Sequence, residues 1–231
     1  ELQLMKIEER LKNENGKNAC IALTEVTPYK RILLRKRIEK LQTSKEISDN
    51  WSVVSDVGDV VIITNRKYRK IPQPEVERVH VVVIAIEDDK KGEVILAAFH
   101  VKHAEGKEKI KKHKMMQPIY AELSKLDNLI IVGDYNDMIP DGLSGVTCYD
   151  NCTSAPQQSS QGGGSTGAFF KNITPDSIST TSCSVNSIDC IKVNCTDEMK
   201  DTQYEDVLNG FDHPKTTLKT KGGVYILMPL V

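Results

Sequence analysis

Four short segments of this sequence close an apolar run with an acid, an amide or a histidine. They are ALTEV with Glu25, AAFHVKH with His100, LIIVGDYND with Asp134 and Asn136, and NGFDHP with Asp212 and His213. A fifth, SIDCIKV, sets Asp189 inside an otherwise apolar strand. A buried acid is costly unless it is paired or binds a cation, so five such positions in one chain need a shared cause. A polar floor that holds a divalent ion and a phosphate is the natural one. Carboxylate and amide oxygens suit Mg2+, with Ca2+ or Mn2+ as alternatives, rather than zinc. Two histidines beside acids would move protons while water attacks phosphorus. Taken singly, each segment has a plainer reading. Asp212-His213 is an ordinary surface pair, GDYND a turn capped by Asp134, and His100 a satisfied core histidine. Their order and spacing together raise the chemical reading above the plain one.

The elements that must carry these residues are legible from periodicity. LQLMKIEERLKNENG places Leu4, Ile7 and Leu11 on one helical face, with Gly16 as a stop, and YKRILLRKRIEKLQ is a second amphipathic helix. ACIALTEV reads as a buried strand, and WSVVSDVG with DVVIITN as a hairpin, followed by a basic loop closed by Pro72 and Pro74. VERVHVVVIAIE and EVILAAFHVKH are antiparallel partners joined by the turn Asp88-Asp89-Lys90-Lys91-Gly92. A helix over Lys107 to Leu126 leads into the buried strand NLIIVGDYND. The stretch from Gly142 to Gly167, rich in Ser, Gly and Gln, reads as a long surface loop. SIDCIKV, TTLKT and VYILMPLV supply the last strands. Strands thus alternate with few helices, and polar residues gather where strands end, which suits two packed sheets with helices outside.

Composition narrows the field. With 231 residues, 39% hydrophobic and 27% charged, the chain has the make-up of one soluble globular domain. No apolar run is long enough for a membrane span, and ELQLMKIEER lacks the apolar core of a signal peptide, so any targeting segment is expected to have been removed. A net charge of −1 gives no global pull toward nucleic acid. The basic clusters Arg66, Lys67, Arg69, Lys70 and Lys107 to Lys114 read first as solvated faces. Cys20 falls in an apolar strand and reads as a buried thiol. Cys148, Cys152, Cys183, Cys190 and Cys195 crowd the loop-rich region, and Asn-x-Thr sequons begin at Asn151, Asn172 and Asn194. Both features suit a secreted protein or another oxidising compartment, with disulfides favoured over zinc because paired CxxC knuckles are missing.

IALTEV, AAFHVKH, LIIVGDYND, SIDCIKV and FDHP stand in the order of the signature segments of the DNase I-like endonuclease/exonuclease/phosphatase superfamily, which the chain resembles from Ala19 to about Pro214. GDYN is the most specific piece, and ITPDSISTTSCSVNSIDCIKV looks like the DNase I branch. The resemblance implies a role for each residue. Glu25 would bind the metal, with Asp212 as a second acidic ligand. Asp134 and Asn136 would orient the phosphate and the water or metal. His213 would be the general base, held by Asp189, and His100 would contact the phosphate or act as general acid. Asp59, in GDVVIIT, would orient His100, and it and Arg78 would lie near the substrate phosphate.

Departures from the family pattern matter equally. Thr24 stands where the family has Gln, Phe211 where it has Ser, and Val57 where it has an aromatic residue. Nothing before Glu25 offers the family's first strand, which ends in an asparagine near the metal. Either a preceding segment or a second chain supplies that strand, or the apolar tail VYILMPLV takes the vacant slot.

The expected fold is therefore a single domain over residues 1–231, a four-layer α/β sandwich of two packed, mainly antiparallel sheets with outer helices. The expected activity is a metal-dependent phosphodiesterase, an endonuclease on DNA, with the basic segments near Arg66 and Lys107 contacting backbone phosphates. A catalytically weakened relative that binds a ligand or partner is the reading from another class, favoured by Val57, Phe211 and the missing strand. A sphingomyelinase-like lipid phosphodiesterase would want an exposed aromatic or apolar hairpin, and aromatics make up only 5% of the chain.

Overall fold

Among the described residues of the computed structural model the hydrophobic periodicities become three helices and twelve strands. It describes residues 2–55, 58–74, 76, 79–88, 91–102, 106–134, 147–150, 166–171, 177–181, 215–220 and 222–229. Helix α1 (Leu2–Asn13) buries Leu4, Ile7 and Leu11, and the chain turns after it through Gly16 at φ +85°. Strand β1 (Ala19–Thr24) follows. Helix α2 (Pro28–Thr43) starts with proline at its first position, where no amide donor is needed, and with the Thr27 hydroxyl accepting from Lys30 N–H at 3.2 Å. It buries Leu34, Ile38 and Leu41.

Strands β2 (Ser52–Ser55) and β3 (Val61–Thr64) form the expected hairpin. So do β5 (Val79–Asp88) and β6 (Gly92–Val101), whose register closes on Asp88 opposite Gly92. Helix α3 (Gly106–Ser124) leads into β7 (Leu129–Asp134). One sheet has the order β10-β11-β12-β1-β3-β2 and the other β4-β5-β6-β7-β9-β8. Among the described residues β1 with β12 and β6 with β7 are parallel, and the other ladders are antiparallel.

Period-two alternation sorts the core into three clusters. Ala19, Ile21 and Leu23 of β1 pack with α1 and α2, whereas Cys20 and Ala22 pack with Val82, Ile84, Leu96, Ala98, Ile130 and Val132 of the second sheet. The opposite faces of β5, β6 and β7 cover Met116, Ile119, Tyr120 and Leu123 of α3.

The apolar tail is an interior strand. Strand β12 (Gly223–Pro229) lies between β1 and β11 (Lys215–Thr220), parallel to the first and antiparallel to the second. Ile226 and Met228 enter the helix-side cluster and Tyr225 the inter-sheet cluster. Burying Ile226 alone is worth about 1.5–3 kcal/mol.

Four sequence expectations change. The basic loop contains a short edge strand, β4 (Tyr68–Lys70), whose exposed charges suit an edge. Arg66 is buried against Asp88 instead of lying on a solvated face, because the β3–β4 connection brings it to the end of β5, where it also donates to the Glu87 carbonyl. Strand β8 (Thr147–Asp150) lies inside the segment expected to be loop, and β9 (Thr166–Lys171) and β10 (Ser177–Thr181) were not anticipated. All three find ladder partners that local composition does not announce. SIDCIKV lies outside the described residues. Among the described residues no helix is long and apolar enough to cross a membrane.

Candidate active site

Strand direction brings the candidate residues to one edge. Strands β1, β6 and β7 end there, and β3 and β5, antiparallel to β1 and β6, begin there. Glu25 directly follows β1, Asp59 precedes β3, and His100 is the penultimate residue of β6, 6% exposed. In β6 the residues Val94, Leu96 and Ala98 face the other sheet, and His100 continues that row.

Asp59 bridges the two sheets. Its Oδ1 lies 2.9 Å from Nδ1 of His100 and 2.5 Å from Nδ1 of His80, while Oδ2 is 4.0 Å from the Lys102 ammonium. Burial pushes the Asp59 carboxyl upward, but hydrogen bonds from His100 and then His80, with the charges those rings can carry, outweigh it. They hold Asp59 well below the usual carboxylate range.

The Asp59 main chain is fixed as well. Its carbonyl accepts from Val26 N–H at 2.9 Å, which ties it to the turn carrying Glu25, and the Arg31 guanidinium of α2 donates to the Gly58 carbonyl. Glu25 Oε1 stands 3.9 Å from His100 Nε2. Glu25 has φ +60°, a left-handed conformation that costs a non-glycine residue about 1–2 kcal/mol. Strain of this kind persists where surrounding contacts dictate the conformation, and here it leaves the carboxylate facing His100.

The hydroxyl of Thr24, fully buried and next to Glu25, has no hydrogen-bond partner among the described residues. An orphaned oxygen beside a strained carboxylate fits a place where a hard cation with its water, or a phosphate, completes the bonding. The cluster of Asp59, His80 and His100, whose ligating atoms lie within 4.8 Å of one another, is of a different kind. Its His100–Asp59 contact of 2.9 Å is an N–H···O length, and the His80–Asp59 contact is shorter still.

Of the residues expected at the site, the structure brings Glu25, Asp59 and His100 together. Asp134 ends β7 in register with His100, which places its backbone at the same edge. Asn136, Asp189, Asp212, His213 and Arg78 lie outside the described residues. Sequence reasoning passed over His80, which begins the inter-sheet row of β5 and stands directly opposite His100. A signal was present: counting outward from the Asp88–Gly92 turn pairs position 80 with position 100.

No family profile and no curated protein matches the chain. Solved structures do. A humanized D. rerio TDP2 carrying 14 mutations is 13% identical, covers 78% of this chain and 82% of its own, and superposes with a TM-score of 0.52. D. rerio TDP2 complexed with single-strand DNA product is 11% identical, with 83% and 85% covered and the same TM-score. Together with two mixed sheets and their helices, these likenesses show that the chain has the DNase I-like endonuclease/exonuclease/phosphatase fold.

Proposed function

We propose that this chain is a divalent-cation-dependent phosphodiesterase, an endonuclease that cleaves DNA, on the DNase I side of its fold group. The observation that carries the proposal is the Asp59–His100 couple set 3.9 Å from Glu25 at one edge between the two sheets. The fold shared with D. rerio TDP2, one structure of which holds a single-strand DNA product, supports the choice of nucleic acid as substrate.

Glu25 would hold the cation, with Asp212 as partner in the role the resemblance gives it. Mg2+ suits such oxygen donors, with Ca2+ or Mn2+ as alternatives. When bound, the ion offsets charge on the scissile phosphate and makes a coordinated water more acidic. The chain's own part is proton handling. With Nδ1 of His100 on Asp59, the ring is held in one tautomer and presents Nε2 toward the mouth. A protonated Nε2 would donate to a phosphate oxygen or to the leaving group. His213, held by Asp189, would take the proton from the attacking water, and Asp134 and Asn136 would orient the phosphate, with Arg78 beside it. The five cysteines from Cys148 to Cys195 and the three sequons support a secreted setting.

Plasmid nicking in Mg2+, with and without EDTA, tests this, comparing the parent with Glu25→Ala and His100→Ala. The expected result is EDTA-sensitive nicking, lowered about 100-fold or more in both variants. A folded parent that nicks nothing in Mg2+, Mn2+ or Ca2+ would sink the nuclease reading. Cleavage of sphingomyelin vesicles by that parent would assign a lipid phosphodiesterase, and inertness on both a binding protein.

A further inference from the structure

We propose that His80 is a positioning residue: it locks the Asp59 carboxylate in place, and Asp59 in turn holds His100 in its working tautomer and orientation. The inference rests on the reading of His100 as a proton-transfer residue and adds a residue for which the resemblance provides no role.

Three observations converge on it. First, His80 and His100 are direct partners across the β5–β6 ladder, and each continues the row facing the other sheet. Second, both Nδ1 atoms meet the same oxygen, Asp59 Oδ1, at 2.5 and 2.9 Å. At such distances a ring nitrogen and a carboxylate oxygen repel through their lone pairs unless a proton lies between, so both rings carry hydrogen on Nδ1. Turning the carboxylate would break two hydrogen bonds to a charged acceptor at once, and these are the stronger kind.

Third, the chain makes room for this ring. Gly58 has φ +122°, and a Cβ there would lie 2.6 Å from Cγ of His80. Only glycine allows both the conformation and the approach. Without His80, the carboxylate would be free to swing toward Lys102, whose ammonium already stands 4.0 Å from Oδ2.

A metal cage is the competing account of the same three residues, and Zn2+ binding decides between the two.

The test uses His80→Phe, which keeps a ring beneath Gly58 without a donor, and His80→Asn, whose amide nitrogen can take the place of Nδ1. The expected result is that His80→Phe lowers kcat about 10- to 100-fold with KM within about twofold, and that His80→Asn recovers most of the loss. At one fixed pH, the imidazole 15N signals of His100 should show hydrogen on Nδ1 in the parent and in His80→Asn, and a mixture of tautomers in His80→Phe. Parent-like kcat and unchanged His100 signals in a folded His80→Phe would overturn the proposal. So would equal loss in both variants, or stoichiometric Zn2+ binding by the parent that both variants abolish. If the parent hydrolyses no phosphodiester, the nuclease reading fails, and the 15N signals alone still decide whether His80 positions His100.

Discussion

His80 and His100 face each other across the β5–β6 ladder, and Oδ1 of Asp59 lies within hydrogen-bond reach of Nδ1 of both. One carboxylate from the first sheet therefore fastens two imidazoles from the second. The joint is a polar counterpart of the inter-sheet core below it, where Cys20, Ala22 and Ile62 meet Ile84, Leu96 and Ala98. Under the proposed function, catalysis and sheet packing share a residue here, so changes at Asp59 should register in both activity and stability.

Asp59→Asn should lower phosphodiester cleavage about 10- to 100-fold, because an amide is a poorer holder of the Nδ1–H tautomer. Its effect on stability has a definite pH sign. A carboxyl whose folded pKa lies below its unfolded value of about 3.9 stabilises fully above that value and loses its contribution as pH falls through the folded one. The gap in urea-unfolding free energy between parent and variant should therefore narrow between about pH 5 and pH 3. A gap that widens on acidification would contradict the assignment of Asp59 as the ionised partner.

Glu25→Gly should separate stability from activity. Glycine adopts φ +60° without the steric cost that glutamate bears, and that relief is partly offset by the greater freedom of glycine in the unfolded chain. Thermal and urea denaturation should find the variant as stable as the parent, or up to about 1 kcal/mol more stable. Cation-dependent cleavage should vanish. A variant that loses more than about 1 kcal/mol would show that Glu25 is held by contacts stronger than its strain.

Arg66 and Asp88 form an ion pair whose side chains are each 4% exposed, 3.3 Å apart, and Arg66 also donates to the Tyr225 hydroxyl at 3.0 Å. Removing one partner strands the other in the interior. Arg66→Ala or Asp88→Ala should each cost about 3–5 kcal/mol, while the pair replaced together by apolar residues of similar size should cost far less. A double-mutant cycle by chemical denaturation measures the difference. Equal, additive losses would mean that the pair is hydrated. The pair sits at the far end of the sheets from His100, so kcat should be unaffected in any variant that remains folded.

Ile226→Ala tests the place of the C-terminal strand. Ile226 is buried in the helix-side core, and β12 is hydrogen-bonded on both sides. Truncation should cost about 2–5 kcal/mol by equilibrium denaturation. A loss below about 0.5 kcal/mol, the range of surface substitutions, would place β12 outside the core.

Much of this molecule could be read from residue order alone. The 3.6-residue spacing of Leu4, Ile7 and Leu11, the apolar run Ala19–Thr24 and the Asp88–Gly92 turn depend on local periodicity, which needs no knowledge of distant partners. The family resemblance implied Asp59 beside His100 and Glu25 as metal ligand, and the structure places these three residues together. What only the tertiary structure decided is pairing across long separations. The tail could have been an edge, a partner's strand or a loop, and its place beside β1 is set by ladder hydrogen bonds between residues some 200 positions apart. Burial of Arg66 and the recruitment of His80 have the same origin. A cation in a basic run and a histidine in a valine-rich strand carry no local mark of their partners, because Asp88 and Asp59 reach them only once the strands have paired and the sheets have packed.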